Sequence, residues 1–313
     1  MNFLNARFPK KADLCNLVSD YLRVERESVY RRLRGNVAFT VQELGILSQK
    51  MGFSIDSLLY RGANTKNSLV VNMIFPRTMH SITELNDTLK ASANMLDRIA
   101  TQKGVELGAV ACIIPVEFFI LYPNLTKFLY FKWGYHHVDD DQFRNYDAWE
   151  MPESIRQWSL AVRAAYDNFD DLFYIWDDAV IWSTINELNY FTDVHIISSE
   201  AAQVIREDLH AMLRSMERDS QVGANSLGKT FNLYTSNVNM GISCSYARSS
   251  TGLCHTFLNS TFFNTTMSDN QEVCTNICNW IKSMKKVATL ISGSGEKERI
   301  LFFEKQHAMV DHR

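Results

Sequence analysis

Residues 24–35 read VERESVYRRLRG, and four arginines and two glutamates fall within this short stretch. Val24, Val29 and Leu33 stay apolar among them. Val29 and Leu33 are four apart, which puts them on one face of a helix and leaves the charged groups on the other. A guanidinium stays charged at any physiological pH and donates through a planar fork, which suits the paired acceptors of a base edge or a phosphate. The chemistry on offer is recognition of a polyanion rather than the making of bonds.

Other stretches offer reactive residue types at weaker spacings. Glu207/His210 and Glu304/His307 are Glu-x-x-His pairs on predicted helices, the spacing that holds metals in di-iron bundles. They sit in differently patterned segments and such short pairs arise by chance, so no metal is expected. The run HHVDDD, His136 to Asp141, reads as a solvated loop with a helix-capping aspartate rather than a cation site. SGSGEKER, residues 292–299, puts glycines before a helix start but lacks the lysine-threonine ending of a nucleotide loop, so it reads as a connector capped by Ser294. Gly241-Ile-Ser-Cys-Ser lacks the second glycine of a nucleophile elbow. Cys254 and His255 would point to opposite faces of a strand. The reading is therefore not an enzyme, and no cofactor is expected.

Charge is divided along the chain. Residues 1–66 hold 11 Lys+Arg against 6 Asp+Glu, a net of +5, and the remainder holds 21 against 29, a net of −8. A basic head on an acidic body implies that the head, and not the body, meets a polyanion. With 313 residues, about two domains are expected. Hydrophobic residues at 46% and charged residues at 21% describe a globular chain rather than a disordered one. The most apolar run, Leu107 to Pro123, is broken by Glu117 and reads as buried core, not a membrane span. The start MNFLNARFPKKADLC lacks the apolar stretch of a signal peptide. The six cysteines show no CxxC pair and read as reduced thiols. A cytoplasmic protein without a membrane partner is expected.

The elements that must position the basic stretch can be placed. Ala12 to Leu22 carries Leu14, Leu17, Val18 and Tyr21 at helical spacing, and Glu25 to Leu33 follows after a very short turn, with Gly35 as its stop. Thr40 and Glu43 form a capping box for a helix running to Gly52, and Ser54 or Asp56 caps a further turn. RGANTKNS, residues 61–68, reads as a linker. Beyond it, helices are predicted over 78–103, 154–191 and 198–220, the last capped by Ser199. Two or three antiparallel strands follow over 232–266, then a helix over 272–291 and a final helix from 296. The aromatic block at 113–191 reads as a helical core or, alternatively, a pocket or partner groove.

Three short helices with a tight turn between the first two make a helix-turn-helix. LVSDYLRVERESVYRRLRG followed by FTVQELGILSQKMGFSIDSLL, residues 14–59, resembles the lambda-repressor-like (XRE-type) helix-turn-helix family. Ser19 matches the short side chain of the first motif helix, Val24 the apolar turn residue, Val29 the buried aliphatic of the second helix, and Gly35 the glycine after it. The family often has glycine in the turn where this chain has Arg23, so either Arg23 takes an unusual backbone conformation or the turn shifts. It usually has an aliphatic where this chain has Arg32. The resemblance implies a recognition helix over 25–33 in the major groove. Its base readers fall on Arg26, Glu27, Tyr30 and Arg31, with arginine donating to guanine and glutamate accepting from cytosine. Ser28, Arg32, Arg34 and Lys50 fall where phosphates are held.

The expected architecture is mainly α: a helix-turn-helix domain over 1–62, then a region over 67–313 with a large helical middle and a small α+β C-terminal part with a few antiparallel strands, subdivided near 222–230. The expected function is sequence-specific transcriptional regulation on double-stranded DNA, as a homodimer. The remainder supplies dimerisation or sensing of a small-molecule or protein effector. The alternative is a DNA-tethered enzyme or protein-interaction module whose activity lies in 67–313.

Overall fold

Leu14, Val18, Val29 and Leu47 are wholly withdrawn from solvent and define the core of the first of two units, Met1–Asn72 and Met73–Arg313. The structure, a computed structural model, describes residues 10–51, 53, 55, 73–238, 240–259 and 265–312. The expected helical turn after Ser54 and the linker at 61–68 lie outside the described residues, Ile55 apart.

The head holds α1 (Lys11–Leu22), α2 (Arg26–Leu33) and α3 (Val41–Met51). Each contributes one apolar stripe to the shared core, where Cys15 and Phe53 are also buried. Burying a side chain such as Val29 or Leu47 contributes about 2 kcal/mol, enough to hold helices too short to persist alone. The capping box forms as its sequence pattern suggests: the Thr40 amide donates to Glu43 Oε2 at 2.8 Å and the Glu43 amide to Thr40 Oγ1 at 3.2 Å. Gly35, at φ +81°, ends α2, and the Asn36 amide donates back to the Arg31 carbonyl at 2.9 Å.

The second unit is built on α4 (Ile82–Ala100), β1 (Glu106–Ala111), α5 (Val116–Phe119), α6 (Pro123–His137), α7 (Glu153–Asp167), β2 (Asp171–Asp177), α8 (Trp182–Asp193) and α9 (Ser199–Val222). It continues through β3 (Thr230–Ser236), β4 (Cys244–Arg248), β5 (Cys254–Asn259), β6 (Thr265–Ser268), α10 (Gln271–Met284), β7 (Thr289–Leu290) and α11 (Glu296–Asp311). The strands form one seven-stranded sheet in the order β6-β5-β4-β1-β2-β3-β7. β1, β2 and β3 run parallel, with Leu107 opposite Leu172 and Leu172 opposite Phe231, while β4, β5, β6 and β7 join antiparallel.

This corrects the mainly helical expectation. A mixed sheet crosses the whole unit, and strands on both sides of residues 222–230 belong to it. The error has a physical cause. β1 reads ELGAVA and β2 reads DLFYIWD, and both are buried on both faces. Such strands are continuous apolar runs without alternation, which periodicity does not distinguish from buried helix. The predicted helix over 154–191 is thus α7, β2 and α8, and the end of the one predicted over 272–291 is β7.

Alternate residues face opposite layers. Leu107, Ala109, Leu172, Tyr174, Trp176, Phe231 and Leu233 join the large core shared with α4 to α9 and α11. Val110, Phe173, Ile175, Cys244 and Tyr246 face the other way, where α10 covers them with Cys278 and Ile281. Gly108 lies between: a Cβ there would stand 2.5 Å from the Phe173 ring and 2.6 Å from the Tyr246 ring. A disulfide joins Cys254 on β5 to Cys274 on α10, with Cα atoms 6.2 Å apart, so the expectation of six reduced thiols is corrected for this pair. The two meet only because α10 packs against the sheet face beside β5, which is why spacing did not reveal them. Among the described residues no helix is long and apolar enough to cross a membrane.

Candidate nucleic-acid interface

The turn that aims α2 is three residues long, Arg23 to Glu25. Arg23 adopts the left-handed conformation, at φ 53° and ψ 44°, so the turn keeps its shape and the side chain accepts the strain. The turn is fastened on both sides: Ser19 Oγ donates to the Val24 carbonyl at 2.6 Å, and the Val24 amide donates to the Ser19 carbonyl at 3.3 Å. Cys15 Sγ donates to the Arg26 carbonyl at 3.5 Å, tying the first turn of α2 to α1.

Val29 is fully buried on one side of α2, and Arg26, Glu27, Tyr30, Arg31 and Arg34 are exposed on the other. These positions recur at i, i+1, i+4, i+5 and i+8, one face of a helix. The Arg34 guanidinium lies 4.5 Å from the centre of the Tyr30 ring, a cation–π contact that limits the movement of both. Lys50, near the end of α3, is exposed.

Ser28 and Arg32 stand apart from that face. Arg32 Nη2 pairs with Glu43 Oε1 at 2.9 Å and Nε donates to Glu43 Oε2 at 3.3 Å, while Nη1 donates to the Ser28 hydroxyl and, at 3.3 Å, to the Ser28 carbonyl. The Thr40 amide, aided by Arg32, holds the Glu43 carboxyl below the usual carboxylate range against the opposing pull of burial. Capping was legible at Glu43; its second role, as the anchor of Arg32, was not. It depends on α3 packing beside α2.

In the second unit a small cleft gathers polar groups that sequence spacing did not single out. Glu117, on α5, is 6% exposed and accepts a 3.1 Å hydrogen bond from the Tyr174 hydroxyl of β2. Arg163 Nη1 donates to the Glu117 carbonyl at 3.0 Å, and its Nε and Nη2 grip Asp167 at 3.0 and 2.7 Å. Asp219, at the end of α9, faces the same cleft. Burial pushes the Glu117 carboxyl above its usual range, and Asp219 likewise. The Arg163 guanidinium opposes that push, and a carboxyl whose proton is held more firmly than usual can donate a hydrogen bond.

The remaining sequence candidates resolve individually. His210 and His307 meet, with Nδ1 atoms 2.7 Å apart, while Glu207 and Glu304 stay exposed. Among the described residues no three His, Cys, Asp or Glu side chains converge as metal ligands. Asp140 caps a 3-10 turn, Asp141–Arg144, through the Gln142 amide at 2.9 Å. In the 292–299 loop the cap position is Gly295 rather than Ser294, and buried Arg299 donates to the Ile291 and Gly293 carbonyls at 3.1 Å. That loop binds a cation of its own chain. Ser198, not Ser199, caps α9, by accepting from the Ala201 amide. Cys254 is in the disulfide, removing it from any pairing with His255.

No protein-family model, curated protein or solved structure matches the chain.

Proposed function

We propose that the chain is a sequence-specific DNA-binding transcriptional regulator, with α2 as the helix that enters the major groove. The observation that carries this reading is the row Arg26, Glu27, Tyr30 and Arg31, exposed on a two-turn helix whose opposite side is pinned by Val29 and whose entry turn is fastened by Ser19. Arginine can donate two bonds to guanine O6 and N7, and glutamate can accept from cytosine N4. Arg34 and Lys50 supply exposed cations for phosphates. A helix this short reads a few base pairs, so the reading includes a homodimer on a two-fold symmetric site.

The second unit serves dimerisation or sensing in this reading. The polar cleft at Glu117 and Arg163 is the feature of that unit that a sensing role, or in a second reading proton transfer, would draw on.

Selection of bound duplexes from a random library, with the wild type and with Arg26→Ala plus Arg31→Ala, tests the proposal. A palindrome enriched by the wild type and lost by the double variant is the expected result. Equal enrichment by both would remove α2 from base reading.

A further inference from the structure

Arg32 and Glu43 are the one ion pair among the described residues of the head, and their side chains are 16% and 15% exposed. We propose that Arg32 is a positioning residue of the DNA-reading helix, held by Glu43, and not a phosphate contact. The inference rests on the reading of the head as a DNA-binding unit.

The argument is one of donor accounting. Arg32 has three nitrogens and all three are engaged within the head: Nε and Nη2 on the two oxygens of Glu43, Nη1 on the hydroxyl and carbonyl of Ser28. The pairing with Glu43 is the fork-on-fork arrangement that adds directional specificity to charge attraction. Glu43 in turn accepts from the Thr40 amide, so its carboxylate is fixed to the first turn of α3. The chain of contacts runs from α3 through Glu43 and Arg32 to Ser28, one turn back along α2. It restrains rotation of α2 about its own axis, the motion that would misdirect Arg26, Glu27 and Arg31.

Transferring Arg32 to a phosphate would dismantle this. Ser28 would lose its donor, and Glu43 would be left as an unpaired anion beside the polyanion. Lys50 faces solvent without such a cost. The functional consequence is a division of labour: exposed cations supply affinity, and the Arg32–Glu43 pair supplies discrimination by holding the reading face in register.

The test compares the full-length wild type with Arg32→Gln, Arg32→Lys, Glu43→Gln and Lys50→Gln, on the duplex selected by the wild type and on a random-sequence duplex of the same length, across a series of salt concentrations. Lys50→Gln should weaken both duplexes alike and make the slope of log affinity against log salt shallower by about 0.9, the signature of one lost phosphate contact. Arg32→Gln should keep the wild-type slope and random-duplex affinity but lower the selected-to-random ratio by about tenfold, comparable to losing one base contact. Arg32→Lys should lose the ratio as well, because an ammonium keeps the charge but not the fork. Glu43→Gln should bind random duplex more tightly, with a steeper slope, as Arg32 is released.

Thermal melting of each variant verifies that it is folded. A shallower slope for Arg32→Gln, restored by Arg32→Lys, would overturn the positioning role while leaving the DNA reading intact. Absence of salt-dependent binding by the wild type would remove the DNA reading and the inference with it.

Discussion

His210 on α9 and His307 on α11 meet edge to edge, Nδ1 to Nδ1 at 2.7 Å. The ring planes differ by 20° and the centroids are 4.9 Å apart, close to the N···N distance plus the two ring radii, so the rings meet edge to edge rather than stacking face to face. A head-on pair of nitrogens this close shares one proton; an ion bridging them would need a wider gap. Asp311 takes the opposite edge of His210, at 3.0 Å from Nε2.

The pair makes the α9–α11 contact sensitive to acid. With both rings charged, each Nδ1 carries a proton, so the hydrogen bond has no acceptor and two cations face each other, with Arg214 also near. Burial, then His210 and Arg214, lowers the affinity of His307 for a proton, only partly offset by Asp311. The unfolded chain therefore takes up more protons near pH 6.5, and stability falls as pH drops through that point and levels off below the folded value. Urea unfolding at pH 7.5 and 5 should show this loss in the wild type and a smaller one in His307→Gln. Equal losses would assign the acid sensitivity elsewhere.

Glu117 has the opposite sign. Its folded affinity for a proton is raised, so its contribution to stability is fully present at pH below about 4.3 and is lost as pH rises toward the folded value. Glu117→Gln mimics the protonated acid. It should be as stable as the wild type to within about 1 kcal/mol at pH 5 and gain on it at pH 8, whereas Glu117→Ala leaves the Tyr174 hydroxyl unpaired and loses at both. Denaturant midpoints at the two pH values check this; a Gln variant that loses ground as pH rises would show that the carboxyl is ionised in the fold.

Arg23 occupies a backbone conformation that suits glycine. Arg23→Gly should stabilise the head by about 0.5 kcal/mol, the relief of roughly 1 kcal/mol or more of left-handed strain being partly offset by the greater freedom of glycine in the unfolded chain. The melting temperature reads the outcome directly, and a decrease would mean that the Arg23 side chain contributes more than its strain.

Gly108 admits no side chain, because the Phe173 and Tyr246 rings cross its face. Gly108→Ala should cost about 3 kcal/mol by overpacking. Gly223→Ala, at a helix end with open space and φ +74°, should cost about 1 kcal/mol through backbone strain alone. Comparison of the two by chemical denaturation separates packing from strain.

How much of this was legible in the sequence depended on whether the signal was local. The head was readable because its information lies within a turn or two: the Val29–Leu33 stripe, the Thr40–Glu43 capping box, Gly35 after the helix and the crowd of arginines between. The helices α4 and α9 were readable from their period for the same reason. The sheet was not. Val110 and Trp176 belong to strands with both faces covered, so their neighbours along the chain carry no alternation. Their partners, Cys244 on one side and Thr235 on the other, are defined by pairing across the chain.

The sequence by itself determined where charge lies, which segments are amphipathic and which residues of α2 can face outward, since these follow from residue type and helical period. Tertiary structure alone decided what those residues meet. It turned Arg32 from an expected surface cation into the partner of Glu43 and brought His210 against His307. It also joined Cys254 to Cys274 and enclosed Glu117 beside Tyr174 and Arg163. Each of these depends on two separate elements being packed side by side, and that packing is set by burial summed over the core rather than by any local pattern.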